Sequence, residues 1–185
     1  MTSSDILDLI QADEWMMTIL RAARDVDLPD WWIGAGFIRS KIWDYLHGFR
    51  ERTPIRDVDV IFFDQNTILT DEEEQIIQAR LAQKAPNVEW SVTNQARMHG
   101  EKGDLPYQSA EDGLKRWHET ATCIGVKLLN DHQLVLLAPW GIEDLVNLVV
   151  RANSACKTNP QAFIKRTQEK KWQLKWPKLK IIMPQ

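Results

Sequence analysis

"RDVDVIFFD", Arg56 to Asp64, is the stretch that decides the fold. Its β-branched and aromatic residues predict a buried strand. The two-residue alternation of a strand sets Asp57 and Asp59 on one face, separated by roughly 6.6 to 6.8 Å of rise. Two carboxylates held that close repel each other unless protons or a cation offset their charge. Mg²⁺ prefers hard oxygen ligands and is often held by one or two carboxylates plus substrate phosphates, so the pair reads as a metal clamp. The competing reading of an isolated D-x-D is two acids on a solvated sheet edge.

Working outward toward the N-terminus, "WWIGAGFIRS" (Trp31 to Ser40) ends an apolar run with two glycines one residue apart and then starts a helix. A strand is predicted at 31–33 and a helix from Phe37 to Leu46, closed by Gly48. Small residues at a strand-to-helix turn let the backbone approach a phosphate, and the helix's first N–H groups and dipole favour an anion. Gly34, Ala35 and Gly36 form such a cradle. Arg39 lies one helical turn in, where a guanidinium can grip a phosphate in two-pronged fashion, and Ser40 follows it. Glycines also serve tight turns and close packing. Coupled to an acid pair opening the next strand, the turn becomes a nucleotide-phosphate site beside a metal site.

Beyond these two stretches, periodicity predicts an amphipathic helix over 5–25, with Ser3 and Ser4 as candidate caps, broken by "LPD". Thr70 and Glu73 make a capping box for a helix over 71–84, and a third strand is expected at 88–93. Strand, helix, strand, helix, strand is the grammar of a sheet with crossover helices. "NQARMHGEKGDLPYQS" then reads as a long loop, in which Asn94, Gln95, Arg97 and His99 either bind ribose or the acceptor, or hydrogen-bond the loop itself. Ser109 to Asp112 can cap a short helix reaching Trp117. "TATCIGVKLLNDHQLVLLA" reads as two strands turning at Asn130 and Asp131, followed by helices over 142–150 and 160–174. The fold class is α/β (α+β), a mixed β-sheet flanked by helices. The expected organisation is a single domain over 1–185, with the helix 5–25 and a basic segment 157–185 as appendages.

The net charge of −3 hides an asymmetry, because 157–185 carries eight Lys or Arg against Glu169 alone, leaving −10 on the remainder. Trp172 and Trp176 fall inside that basic segment. Cations beside aromatic rings suit single-stranded RNA, by phosphate contacts and base stacking. The alternative is a helix with a solvated lysine face and its tryptophans packed on the body. No apolar run approaches the roughly 20 residues of a membrane span. The start is acidic, without a basic stretch followed by an apolar block, so the expected location is cytoplasmic, with no membrane partner. Cys123 and Cys156 fit reduced thiols. The four histidines show no zinc-site spacing, no Walker lysine follows the glycines and no G-x-S-x-G occurs. "GAGFIR" does imitate G-x-G-x-x-G, with Asp64 as a ribose-binding acid, which keeps a dinucleotide-dependent oxidoreductase as a rival; against it, Arg39 stands where the third glycine belongs.

"AGFIR" at Ala35 to Arg39, the amphipathic "KIWDYLHG" and "DVDV" at Asp57 to Val60 resemble the signature of the nucleotidyltransferase superfamily. The arrangement is similar to the head of the tRNA CCA-adding and poly(A) polymerase branch. The wider run, with "LPDWWIGAGF", "NQARMH", "PY", "ETAT" and "APWG", resembles a bacterial nucleotidyltransferase-like family over nearly the whole chain. The resemblance implies transfer of a nucleoside monophosphate from a nucleoside triphosphate to a hydroxyl acceptor, with pyrophosphate leaving. It implies that Asp57 and Asp59 bind Mg²⁺ or Mn²⁺ and that Gly34 to Gly36 receive the triphosphate. Ser40, Asn94 and Arg97 join Arg39 as candidate nucleotide contacts. The sequence departs from the superfamily pattern in having Ala35-Gly36 at the second small pair and a longer interval to the aspartates. A third carboxylate is expected on the neighbouring strand. Glu89 in "VEWSVT" is the only acid there, either as that ligand or as a strand-edge glutamate facing solvent. Without it, the chain reads as a non-catalytic nucleotide-binding or sensor protein.

Overall fold

In a computed structural model that describes residues 1–66, 71–155 and 160–184, the first helix begins at Thr2. The Thr2 hydroxyl accepts from the Asp5 N–H and the Asp5 carboxylate accepts from the Thr2 N–H, a reciprocal cap that starts α1 (Ser3–Gln11). The expected 5–25 helix is two helices, because the Asp13 carboxylate accepts from the Met16 N–H and starts α2 (Glu14–Arg24). A side-chain acceptor competes with helix continuation wherever it can satisfy a nearby backbone donor. Cap and amphipathic stripe together bury Ile6, Ile10, Met16, Ile19 and Leu20.

Next come β1 (Trp32–Gly34), α3 (Gly36–His47), β2 (Val58–Phe62), α4 (Asp71–Lys84) and β3 (Trp90–Asn94). Thr70, expected to cap α4, lies outside the described residues, as does Cys156. Residues 95–102, expected as loop, form α5 (Gln95–Lys102), started by the Asn94 side chain accepting from the Ala96 N–H. Its polar, Gly100-containing sequence carries no apolar period, so only the cap announces it. The remainder is α6 (Ala110–Leu114) with Ser109 as its cap, a 3-10 turn at Thr120–Thr122, then β4 (Gly125–Leu128) and β5 (Leu134–Leu137). The helix expected over 142–150 is only α7 (Glu143–Val146), after which the chain extends as β6 (Val149–Arg151). The C-terminal segment is α8 (Pro160–Lys170), α9 (Trp172–Lys175) and β7 (Lys180–Ile182), broken at Lys171, which has φ 48°.

The main sheet runs β3-β2-β1-β4-β5. Only β2 and β3 are parallel; β1 is antiparallel to both β2 and β4, and β4 to β5. The crossover grammar therefore holds for β2-α4-β3 and fails for β1-α3-β2, where α3 returns the chain antiparallel. That failure removes the parallel first unit a dinucleotide fold needs. Val58, Val60 and Phe62 turn into the larger core with α1 and α2, while Ile61 packs on the other face with Trp32, Ala110 and Leu114. Asp57 and Asp59 alternate with those core valines, so they project from the Ile61 face.

The segment expected as a basic appendage is part of the core. Phe163, Trp172, Trp176 and Leu179 belong to the same cluster as Ile6 and Val60. Trp43 of α3 meets Trp172 and Trp176 edge-on, with ring centroids 5.9 and 5.1 Å away. The Trp176 indole N–H donates to Asp44 Oδ1 at 2.7 Å, and β7 pairs in parallel with β6.

Candidate active site

Three anchored pieces of chain build one cleft. The first is the turn after β1. Gly34 is demanded by packing: an added Cβ would lie 2.7 Å from the Trp117 ring. Ala35, not a glycine, takes the unusual backbone, φ 51° and ψ −122°. That conformation is costly for a residue with a Cβ, and strain of this kind persists only where surrounding structure holds it. Ala35 also occupies the N-cap of α3 and supplies no side-chain cap there. The first N–H groups of a 12-residue helix thus face the cleft without a side-chain acceptor.

The second piece is the 49–57 segment and β2. Asp13 grips Lys41 and Arg52 at 2.7 Å each, and Arg52 stacks on Trp15 at 4.0 Å. Asp44 accepts from the Thr53 N–H at 2.8 Å and from its hydroxyl at 2.6 Å. Those ties deliver Asp57 and Asp59 to the cleft, alongside Ala35 and Gly36. The antiparallel register, which sets Ile33 opposite Val60, places Gly34 opposite Asp59. Burial, and then the neighbouring Asp57 charge, push the Asp59 carboxyl up to about 6; Arg39, Lys170 and a hydrogen bond with Ser91 pull the other way. A carboxylate in that position gains from a cation at its side.

The third piece is the C-terminal segment, whose tryptophans pack on the body as one of the two readings of the sequence expects, and whose cations reach the cleft. Arg166, Lys170, Trp172, Lys175 and Trp176 line the cleft, of about 140 Å³, together with Arg39, Ser40 and Arg56. Arg39 is 9% exposed, with its guanidinium 5.2 Å from the Trp43 ring and 4.9 Å from the Trp172 ring. Its Nε has no hydrogen-bond partner among the described residues. Burial lowers its pKa to about 10, a value at which the group is still cationic near neutrality. A buried donor without an acceptor is costly unless a ligand supplies one. A second hollow of about 250 Å³ shares Ala35, Asp59 and Arg166 with the first and adds Trp117, His118 and Thr122. The signal for the C-terminal cations was present in the sequence: Arg166 and Lys170 are four apart on α8 and each stands three residues after a buried one, Phe163 and Thr167, so both flank the buried stripe of the helix.

Of the residues expected at the site, Gly36, Ala35, Arg39, Ser40, Asp57 and Asp59 meet in the cleft. Glu89 has an exposed side chain and stands just before β3, its carbonyl accepting from the Val58 N–H at 2.8 Å. The parallel register pairs Asp59 with Ser91 and so puts Glu89 beside Asp57 on the same face, outside the cleft lining. Among the described residues, no three His, Cys, Asp or Glu side chains cluster closely enough to hold a metal ion. Within the cleft lining, Asp57 and Asp59 are the carboxylates, and they suit a divalent cation that completes its shell with phosphate oxygens and water.

Asn94 and Arg97 are not brought to the cleft. Asn94 pairs with Phe62 at the far end of β2, three residues and roughly 10 Å of rise from Asp59. It caps α5, bonds the Asp64 backbone in both directions and donates its own N–H to Glu74 at 2.7 Å. Arg97 pairs with Glu74 at 2.6 Å. Asp64, the acid of the dinucleotide rival, accepts from the Asn66 N–H within its own turn.

A family described as nucleotidyltransferase matches residues 21–181. An NMR structure described as revealing a CCA-adding enzyme head domain is 30% identical, with TM-score 0.85 over 99% of this chain and 97% of that one. A CCA-adding enzyme in complex with CTP (14% identity, TM-score 0.56) and the Thermotoga maritima CCA-adding enzyme with tRNA (14%, TM-score 0.54) share the fold. The chain corresponds to 43% and 42% of those two enzymes, while 98% of it is covered in each case. No protein of curated function matches the sequence. No helix among the described residues is long and apolar enough to cross a membrane.

Proposed function

The chain belongs to the nucleotidyltransferase family, and on that premise we propose that it transfers a nucleoside monophosphate from a nucleoside triphosphate to a hydroxyl-bearing acceptor, releasing pyrophosphate. The observation that carries this reading is the meeting of Asp57, Asp59, the Ala35–Gly36 turn and Arg39 in one cleft. The N–H groups at the start of α3 receive phosphate oxygens, and Arg39 offers its unpartnered Nε to the same anion. Its two tryptophan neighbours hold the guanidinium plane in place, so little entropy is lost when the phosphate arrives. A Mg²⁺ or Mn²⁺ held by Asp57 and Asp59 would offset charge on the triphosphate and lower the barrier to attack at the α-phosphorus. The acceptor oxygen bonds to that phosphorus, the bond to pyrophosphate breaks on the opposite side, and the hydroxyl proton passes to solvent. Positioning and electrostatics supply most of the acceleration in such reactions.

The test is incubation of the protein with α-phosphate-labelled nucleoside triphosphates, Mg²⁺ or Mn²⁺ and cell extract, following label transfer and pyrophosphate release. Label on an acceptor, lost in both Asp57→Asn and Asp59→Asn, supports the reading. Equal labelling by wild type and variants refutes it. A second reading, nucleotide binding without transfer, is favoured by the exposed Glu89 and by the lack of a three-ligand cluster among the described residues. Tight, Mg²⁺-dependent nucleotide binding in calorimetry without pyrophosphate release would establish that one.

A further inference from the structure

The basic C-terminal segment has two faces with different surroundings. Lys165 and Glu169 lie on the solvent side of α8, 3.8 Å apart, with side chains 78% and 64% exposed. Phe163 and Thr167 are buried on the body. Arg166 and Lys170, one helical turn apart, line the same cleft as Asp57 and the turn before α3. Lys170 is exposed like Lys165, and what distinguishes it is its place in the cleft lining.

Arg166 is fixed. Its Nε donates to Glu119 Oε1 at 2.6 Å and its Nη2 reaches Glu119 Oε2 at 3.5 Å, and Glu119 is fully buried. The Thr122 hydroxyl donates both to the Glu119 carbonyl at 2.8 Å and to its carboxylate at 3.2 Å. A buried carboxylate held by two partners is a rigid base for the guanidinium, which still shows 32% of its side-chain surface. Lys170 forms no ion pair among the described residues. Partial burial, then Arg166 and Arg39, depress its pKa, while Asp57 and Glu119 act in the opposite sense; Arg39, Arg56, Arg166, Lys170 and Lys175 all line the cleft. Against these five cations the lining carries Asp57 and Asp59, and with Glu119 spent on Arg166 the balance stays positive, which suits a polyanion larger than a single phosphate.

We propose that Arg166 and Lys170 of the C-terminal helix bind the β- and γ-phosphates of the incoming triphosphate, and hence the pyrophosphate that leaves, rather than an RNA backbone. The inference rests on the nucleotidyl-transfer reading and deepens it. Arg39 lies against Gly36 at the start of α3; Arg166 stands beside it, the two guanidiniums 5.9 Å (Arg166) and 4.9 Å (Arg39) from the Trp172 ring, and Lys170 lines the same cleft one turn further along α8. The segment is therefore a wall of the nucleotide site, tied down by the Asp44 bond to Trp176 at 2.7 Å.

Calorimetric titration of the full chain with ATP, inorganic pyrophosphate and AMP, each with Mg²⁺, tests the assignment. Lys170→Gln should weaken ATP and pyrophosphate about ten-fold, as for loss of one charge-assisted contact, and leave AMP within about two-fold. Lys170→Arg should recover most of the loss. Arg166→Gln strands the Glu119 carboxylate and risks unfolding, so Arg166→Lys is the second variant, with the same selective loss expected. Wild-type affinity for ATP and pyrophosphate in both Lys170→Gln and Arg166→Lys, or an equal loss for AMP, overturns the proposal. So does a selective loss of oligo(A) RNA binding with ATP unaffected. If the wild type binds no nucleotide or pyrophosphate at all, the transfer reading itself falls.

Discussion

Strand β2 ends in polar residues on both sides, and the two ends are treated differently. At the Phe62 end, Asn94, Asp64, Glu74 and Arg97 form a closed set: each polar group has a partner within the chain, at distances of 2.6 to 3.1 Å. At the Val58 end, Asp57 and Asp59 make no ion pair among the described residues, Arg39 keeps a buried Nε without a partner, and Ala35 holds a backbone that favours glycine. Similar residue types thus serve opposite purposes. Where the fold satisfies its own polar groups it uses them as structure; where it leaves them open, at a cost in free energy, a ligand is the natural compensation. Partner accounting, more than residue type, separates scaffold from site.

The contrast breaks most sharply at the aspartates. Asp57→Asn and Asp59→Asn should each lower nucleotide transfer by at least about 10³-fold, the upper range for removing one preorganised charge from a reacting site. Circular dichroism should stay native, and Tm at pH 7.5 should hold or rise, since one of two neighbouring half-buried carboxylates has lost its charge. Turnover within ten-fold of wild type in both would put the open end on a par with the closed one. Next in size is Trp172→Ala, which empties a buried site and unstacks Arg39. A loss of about 3 to 5 kcal/mol in urea unfolding is expected, together with weaker nucleotide binding.

At the closed end, Arg97→Gln removes the 2.6 Å pair with Glu74 and should cost about 1 kcal/mol of stability. Turnover should change by less than about two-fold, and a larger drop would return that loop to the site. Ala35→Gly should stabilise by about 0.5 to 1 kcal/mol in thermal unfolding, because relief at φ 51° outweighs the added chain entropy. Destabilisation would show that no strain resides there.

The smallest effect is a shift in pH dependence. Asp59 sits at about 6 in the fold against an ordinary 3.8, so the folded state takes up this proton before the unfolded chain does. Its penalty to the metal-free protein is present above pH 6 and fades as pH falls toward 4. Mg²⁺ competes with the same proton, so its stabilisation of Tm should be larger at pH 7.5 than at pH 5. An equal shift at both would exclude Asp59 as a ligand.

Much of this was readable from local patterns. β2, α3, α4 and the β4–β5 hairpin follow from β-branched runs, caps and turn residues that act over a few neighbours. The single helix expected over 5–25 follows the apolar period, which runs past Ala12 and Asp13, where a cap interrupts the backbone. Helix α5 shows the converse, a cap without a period. β6 and β7 are three-residue strands, too short to carry a sequence signal, and their pairing joins positions about 30 residues apart. Glu89 is the one acid in the strand expected over 88–93; the register places it beside Asp57, one residue before β3 begins, and its side chain is exposed.

The sequence by itself determined the acid pair on one strand face, the small-residue turn before a helix and the presence of a basic, tryptophan-bearing C-terminal segment, since each depends on the geometry of a few consecutive residues. Only the tertiary structure decided that β1 runs antiparallel to β2, that the Phe62 end closes on itself, and that Arg166, Lys170 and Trp172 come back across more than 100 residues to Asp57 and Arg39. Such meetings are set by how Trp43, Trp172 and Trp176 share one core, and burial of apolar surface has no direction along the chain from which a reader of sequence could infer it.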